Sequence, residues 1–288
     1  MTLVSIIISL RPKQQIKNLF LFSALIFGQK LTEPDAIFRV IIGFLLFCLT
    51  AGAGYIINDL IDIEKDRAHP IKRLRPIPAG ILSKRSALIF VFFSLFSFPV
   101  SYILSPLFFI TLSSYFLLTL LYSIYLKNIV IIDVIVVSLG FVLRVVAGAV
   151  VIPVKISLWL LICTMLLALF LALSKRRHEI VLLEEEASSH RTILSEYSPA
   201  FIDEMISAVT GAAIIAYSLY AFSPETQEKF GSGLPLTIPF VLYGIFRYLY
   251  LVHQKRKGGA PEIDITSDKP LMISIAGWII SILAIIYL

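Results

Sequence analysis

Three aspartates, Asp59, Asp62 and Asp66, recur three and four residues apart within Asn58-Asp59-Leu60-Ile61-Asp62-Ile63-Glu64-Lys65-Asp66-Arg67. At 100° per residue, a helix brings Asp59 and Asp66 to within about 20° of each other around its axis, with Asp62 about 60° away. Like charges along one stripe repel by roughly 0.2–0.5 kcal/mol per neighbouring pair, a cost that a bound cation removes. Mg2+ takes one or two protein carboxylates and completes its shell with water and phosphate oxygens. Glu64 falls on another face. A basic segment follows at once, His69-Pro70-Ile71-Lys72-Arg73-Leu74-Arg75-Pro76. Its prolines stiffen the backbone, and arginine forks pair with phosphate in a bidentate way. The plain alternatives are a solvated helix end and a tether for anionic lipid headgroups. The stripe, Asn58 and the basic segment occurring together point instead to a Mg2+–diphosphate site at a membrane surface.

Two further basic clusters accompany it: Arg11-Pro12-Lys13-Gln14-Gln15-Ile16-Lys17-Asn18 and Lys175-Arg176-Arg177-His178-Glu179. Each alone is an ordinary membrane anchor. Three clusters around one metal site suit a substrate with more than one phosphate centre. Glu184-Glu185-Glu186 reads as a solvated run, with metal contact as the alternative. Tyr122 and Tyr125, three apart, share a face with Lys127 nearby, and an aromatic interface belt with a snorkelling lysine is as good a reading as substrate contact. Asp133 and Arg144 lie about three turns apart in an apolar run, and Arg247 lies in another. A central charge in a membrane helix costs ~2.5–3.5 kcal/mol on insertion scales, so it normally faces a polar interior or an ion-pair partner. The four histidines show no metal-ligand spacing, and neither a Walker loop nor a glycine-rich dinucleotide turn is present.

The elements that must position these groups are transmembrane helices. The chain has 288 residues, of which 58% are hydrophobic and 15% charged, against roughly 25% charged in soluble domains. Apolar stretches near 18 residues or longer mark helical spans, whereas barrel strands would alternate and run shorter. Nine spans are expected, at 19–33, 36–60, 84–104, 106–126, 129–151, 156–175, 200–222, 235–252 and 270–288. With the N-terminus inside, most of the 25 basic residues fall on inner segments, which puts the N-terminus in the cytoplasm and the C-terminus outside. The long inner loops are about 61–83 and 176–199, so the chemistry is expected on that face. Residues 1–18 form an interfacial lead-in without the basic start and cleavage site of a signal peptide. No linker divides the chain, and one integral domain with a cytoplasm-facing polar cavity is expected. Cys48 and Cys163 lie in apolar spans and read as free buried thiols. The net charge of +6 is explained by juxtamembrane lysine and arginine, and no nucleic-acid motif is found.

These residues resemble the UbiA superfamily of intramembrane prenyltransferases, whose first aspartate motif matches Asn58-Asp59-x-x-Asp62-x-x-x-Asp66. The resemblance implies a bundle of nine helices around a cavity with Mg2+ at its cytoplasmic end. Aromatic prenyltransferases of the superfamily carry a second acidic motif after the sixth span. Here Lys175-Arg176-Arg177-His178-Glu179 replaces it, exchanging a carboxylate pair for cations and favouring an added anion. The branch that fits is the decaprenyl-phosphate phosphoribosyltransferase group, through Arg11-Pro12-Lys13-Gln14, Lys17-Asn18, the His69–Pro76 segment, Tyr122 to Lys127, Arg144 and the Lys175 cluster. Gln15 stands where that group is expected to carry tryptophan.

That branch implies transfer of 5-phosphoribose from phosphoribosyl diphosphate (PRPP) to a polyprenyl phosphate, releasing diphosphate, in cell-wall or lipid-linked sugar precursor synthesis at the cell membrane. Asp59, Asp62 and Asp66 are then the Mg2+ ligands. Asp59, Asp62 and Asn58 form the expected catalytic set, in which Asn58 orients a carboxylate or donates to the substrate. The substrate-binding set is Lys17, Asn18, Asp66, Arg67, Lys72, Arg73, Arg75, Tyr122, Tyr125, Lys127, Arg144, Lys175, Arg176 and Glu179. Two alternatives stay open: a prenyltransferase using an isoprenyl diphosphate and an aromatic or other polar acceptor, and a lipid or anion transporter.

Overall fold

The computed structural model describes residues 2–68, 72–185 and 196–288, all helix, turn or irregular segment without a strand among them. His69, Pro70, Ile71 and Glu186, and the side chains of Glu184 and Glu185, lie outside the described residues. Eight helices among the described residues are long and apolar enough to cross a membrane. The chain divides into two compact units, one running through Lys155 and the other beginning at Ile156.

The first unit opens with α1 (Thr2–Ser9), α2 (Pro12–Gln15), a 3-10 segment Ile16–Phe22 and α3 (Ser23–Phe27). Where the sequence predicts a first span at 19–33, the chain forms this 3-10 segment and a five-residue helix. The reason is a close crossing. A Cβ on Gly148 would stand 2.0 Å from the Leu21 carbonyl oxygen, so only glycine lets the later helix approach this segment's backbone. α1 turns Val4, Ile7 and Ile8 outward and keeps Ser5 and Ser9 buried, the polarity of a helix lying at an apolar boundary.

α4 (Pro34–Ile61) is the spine of this unit. Proline at its start and Asp35 in its first turn suit a helix N-terminus. Its buried run Ala51-Gly52-Ala53-Gly54 lets neighbours close in: a Cβ on Gly52 would meet Leu10 at 2.3 Å, and one on Gly54 would meet Thr119 at 2.8 Å. Small residues are how membrane helices gain close packing. After α4 come α5 (Ile63–Ala68), α6 (Lys84–Ser94), α7 (Ser97–Leu104), α8 (Pro106–Ile124) and α9 (Ile132–Val151). α6 and α7 together fill the span expected at 84–104; Pro99 cannot donate to the Leu95 carbonyl, and the helix breaks there. Thr50 and Ser97 share a buried hydrogen bond of 2.9 Å between α4 and α7.

The second unit holds α10 (Leu158–Glu185), α11 (Pro199–Phe222), α12 (Pro224–Phe230), α13 (Ile238–Gln254), α14 (Pro261–Ser267) and α15 (Lys269–Tyr287). Polar ties bind it internally. Trp278 Nε1 donates to Tyr217 Oη at 2.8 Å, and Asp268 caps α15 by accepting from Leu271 N at 2.9 Å.

Candidate active site

The aspartate stripe is real but not carried by one continuous helix. α4 ends at Ile61, Asp62 takes the cap position at φ −92° and ψ 14°, and α5 restarts at Ile63. The i−4 rhythm survives the break, with Asp62 N on Asn58 O at 3.0 Å and Asp66 N on Asp62 O at 2.8 Å. All three aspartates are buried, and Asp59 is 1% exposed.

Cations meet each of them. Arg75 Nη1 donates to Asp59 Oδ1 at 3.0 Å and to Asp66 Oδ2 at 2.6 Å. Arg11 Nη2 reaches the same Asp59 oxygen at 2.5 Å, with its guanidinium over the Tyr55 ring. Lys127 Nζ donates to Asp62 Oδ2 at 2.6 Å. Arg75 is placed by its loop: Ile77 and Leu82 are buried against Ile56 and Ile63, a burial worth about 1.5–3 kcal/mol per side chain. A 3-10 turn, Leu126–Asn128, directs Lys127 inward. An open cavity of about 330 Å³ adjoins the stripe, lined by Ser9, Arg11, Gln14, Asp59, Lys72 and Arg75 among others.

A second buried cluster surrounds Arg144 on α9. Its Nε donates to Asn18 Oδ1 at 2.7 Å, its Nη1 to Gly140 O at 2.7 Å and its Nη2 to Tyr115 Oη at 2.9 Å. Phe47, Tyr115 and Phe141 present ring faces to the guanidinium at 4.8–5.5 Å. Asn18 in turn donates to Gln15 Oε1 at 2.6 Å and to Cys48 Sγ at 3.2 Å. Gln15 also donates to the Leu10 and Cys48 carbonyls, so it is a backbone tie where an aromatic was expected.

The remaining expected residues are distributed as follows. Asn58 is half-buried on the last turn of α4, and Lys17 is half-buried on the 3-10 segment. Lys72 lines the cavity, while Arg73 is exposed. Arg67 turns to Glu64 at 3.1 Å and to the Pro78 carbonyl at 3.2 Å, away from the aspartates. Tyr125 faces outward at 63% exposure, and Tyr122 is half-buried. Lys175, Arg176 and Glu179 belong to the second unit, where Arg176 pairs with Glu179. There Arg177 and His253 both meet Asp203, at 2.6 and 3.1 Å. Arg11 and Tyr115 were absent from the expected set. Arg11 had a signal, since it opens a basic cluster before a proline; nothing in the local sequence sets Tyr115 apart from other span tyrosines.

Among the described residues no three metal-ligating side chains converge on one point. The donor chemistry nonetheless fits a hard divalent cation. Asp59 and Asp66 both accept from one Arg75 nitrogen, and carboxylate oxygen is what Mg2+ accepts.

The fold and this cluster define a polytopic helical membrane protein with a buried, charge-matched aspartate site. The chain belongs to the UbiA prenyltransferase family, a family of transferases, whose model matches residues 19–264. The decaprenyl-phosphate phosphoribosyltransferase of Mycolicibacterium smegmatis is 32% identical over 292 residues, covering 97% of this chain and 91% of the relative. The protein of the same name from Corynebacterium glutamicum is also 32% identical, covering 97% and 86%. The fold is similar to that of a UbiA homolog from Archaeoglobus fulgidus bound to GPP and Mg2+, with a TM-score of 0.75 and 19% identity over 99% of this chain and 100% of the other. The same homolog bound to DMAPP and Mg2+ gives a TM-score of 0.74 at 20% identity, over 96% of this chain and 97% of that one.

Proposed function

We propose that the protein transfers 5-phosphoribose from PRPP to a polyprenyl phosphate in the cell membrane, with Mg2+ and release of diphosphate. The observation that carries this reading is the likeness to two phosphoribosyltransferases along nearly the whole chain. The excess of cations over carboxylates around the cavity supports it, because PRPP brings phosphate at two separate centres.

Asp59, Asp62 and Asp66 would hold the metal, which when bound supplies positive charge against the departing diphosphate. Arg11, Lys72 and Arg75 bind the diphosphate oxygens from the cavity wall, and Asn58 donates its side-chain amide to the substrate. Lys127 holds the Asp62 carboxylate in place. Arg144, held by Asn18 and Tyr115, serves a further phosphate. Lys17, Arg67, Arg73, Tyr122, Tyr125, Lys175, Arg176 and Glu179 are proposed as outer contacts to substrate. The acceptor phosphate is ionised at neutral pH and needs no strong general base. Its oxygen attacks the ribose anomeric carbon opposite the diphosphate, inverting that centre, while the polyprenyl tail lies along apolar helix faces. The segment expected at 19–33 would supply a ninth crossing, with the N-terminus and the site on the cytoplasmic side and the C-terminus outside.

The test is substitution. Asp59→Asn and Asp62→Asn should each abolish conversion of PRPP and polyprenyl phosphate in membranes. Turnover near the original rate refutes the assignment. Turnover with a prenyl diphosphate and none with PRPP would move the chain to the prenyl-transferring reading that the GPP- and DMAPP-bound fold neighbours represent.

A further inference from the structure

The three stripe carboxylates are matched by three cations, Arg11, Arg75 and Lys127. The charges cancel. A free divalent cation arriving here would join three cations already placed on the stripe, and at Asp59 Oδ1 it would compete with Arg11 and Arg75, which share that oxygen. A diphosphate changes the balance, because its negative oxygens accept whichever guanidinium the metal displaces.

Arg11 is built for that exchange. It stands at φ 52° and ψ 65°, the left-handed region, directly before Pro12, a conformation that a non-glycine residue rarely adopts and that a following proline disfavours further. Strained backbone persists where the surroundings hold it, and a released side chain is free to relax it. Asp59 is what holds the guanidinium at one end. The other side of Arg11 borders the 330 Å³ cavity, which Lys72 also lines, so a cation beyond the three on the stripe faces it. The space into which Arg11 would turn is therefore already attractive to an anion.

We propose that Arg11 is an exchangeable counter-ion that makes the site take divalent metal and diphosphate together: it occupies Asp59 until the metal arrives, then moves to the diphosphate in the cavity. This rests on the metal–diphosphate reading above. It adds that the two ligands bind with strong mutual dependence, and that Arg11 carries much of this coupling. By linkage, the diphosphate must tighten the metal by the same factor as the metal tightens the diphosphate.

The experiment uses purified full-length protein, Mn2+ as a spin-active divalent ion and inorganic pyrophosphate, a probe that favours neither PRPP nor a prenyl donor. Mn2+ affinity is measured with and without pyrophosphate. In the wild type, pyrophosphate should tighten Mn2+ by ~10-fold or more. In Arg11→Gln, Mn2+ alone should bind several-fold tighter, and the pyrophosphate effect should fall to about threefold or less. A structural role for Arg11 would weaken both ligands without raising the affinity for metal alone. Should Arg11→Gln not fold, Arg11→Lys carries the test: a point charge without a fork holds Asp59 less firmly, so metal-alone affinity should still rise by about twofold. Metal-alone affinity unchanged or lowered, or coupling equal to wild type, overturns the inference while leaving the metal site standing. A wild type that binds no Mn2+ even with pyrophosphate overturns the metal site itself and this inference with it.

Discussion

Lys127 Nζ lies 2.6 Å from Asp62 Oδ2, although the two are 65 residues apart in sequence. The lysine side chain is 3% exposed and the aspartate 11%. The pair fastens the turn between α8 and α9 to the break between α4 and α5, so the third and fourth membrane-length elements fix the geometry at the end of the first. Removing one partner leaves a buried charge uncompensated, which costs about 3–5 kcal/mol, whereas removing both with apolar residues is far milder. Lys127→Met should therefore lower thermal stability in detergent strongly, and Lys127→Met with Asp62→Leu should recover much of the loss. A double variant no more stable than the single would show that the pair is not what Lys127 contributes.

Gly148 tests the close crossing that breaks the first expected span. Its Cβ would stand 2.0 Å from the Leu21 oxygen, a contact with backbone that no side-chain rotation relieves. Gly148→Ala should cost about 1–3 kcal/mol, as overpacking does, despite alanine's better helix propensity. A melting temperature at or above wild type contradicts the crossing.

Arg144 has no carboxylate partner among the described residues; three neutral oxygens and three aromatic faces hold it. Arg144→Lys retains the charge but loses the fork that Asn18 and Tyr115 satisfy. Transfer to the polyprenyl phosphate should fall by ~10-fold or more, while Mn2+ affinity stays within about twofold, since Arg144 shares no contact with Asp59, Asp62 or Asp66. A parallel fall in metal affinity would assign Arg144 a structural role instead.

Asp268 predicts a pH dependence. Hydrogen bonds from Arg247 hold its carboxyl below the usual aspartate range, opposed by partial desolvation and aided by the Leu271 amide. The carboxylate is thus favoured more in the folded chain than in the unfolded one. Its contribution is complete above the ordinary aspartate range near ~3.9 and is lost as pH falls through the lower folded value. Asp268→Ala should cost about 1 kcal/mol at neutral pH through the lost α15 cap, and melting curves of variant and wild type should converge only below about pH 4. A gap that persists unchanged in acid would mean that the carboxylate's charge is irrelevant.

Much of this architecture is legible in the residues. Eight of the long apolar runs are helices of membrane length, and the aspartate spacing survives even the break at Asp62, because hydrogen bonds at the i−4 interval continue across it. The break within the expected 19–33 span was hidden because hydropathy records how apolar a segment is, not how near another backbone must come; the signal lay in Gly148, more than a hundred residues on. Partner choice was hidden for a similar reason. Arg67 sits beside Asp66 in sequence yet pairs with Glu64, whereas Arg11 and Arg75, 48 and 16 residues from Asp59, reach it through the fold. A basic cluster announces cations near a surface, but only packing decides which of them turns inward.

The most direct test is to incubate purified protein with PRPP labelled in the ribose, Mg2+ and a polyprenyl phosphate, then extract the lipid. The expected result is label in the lipid fraction, in proportion to diphosphate released, abolished by chelation of the metal and by Asp59→Asn. Lipid free of label, with the same preparation consuming a prenyl diphosphate, would contradict the phosphoribosyl account.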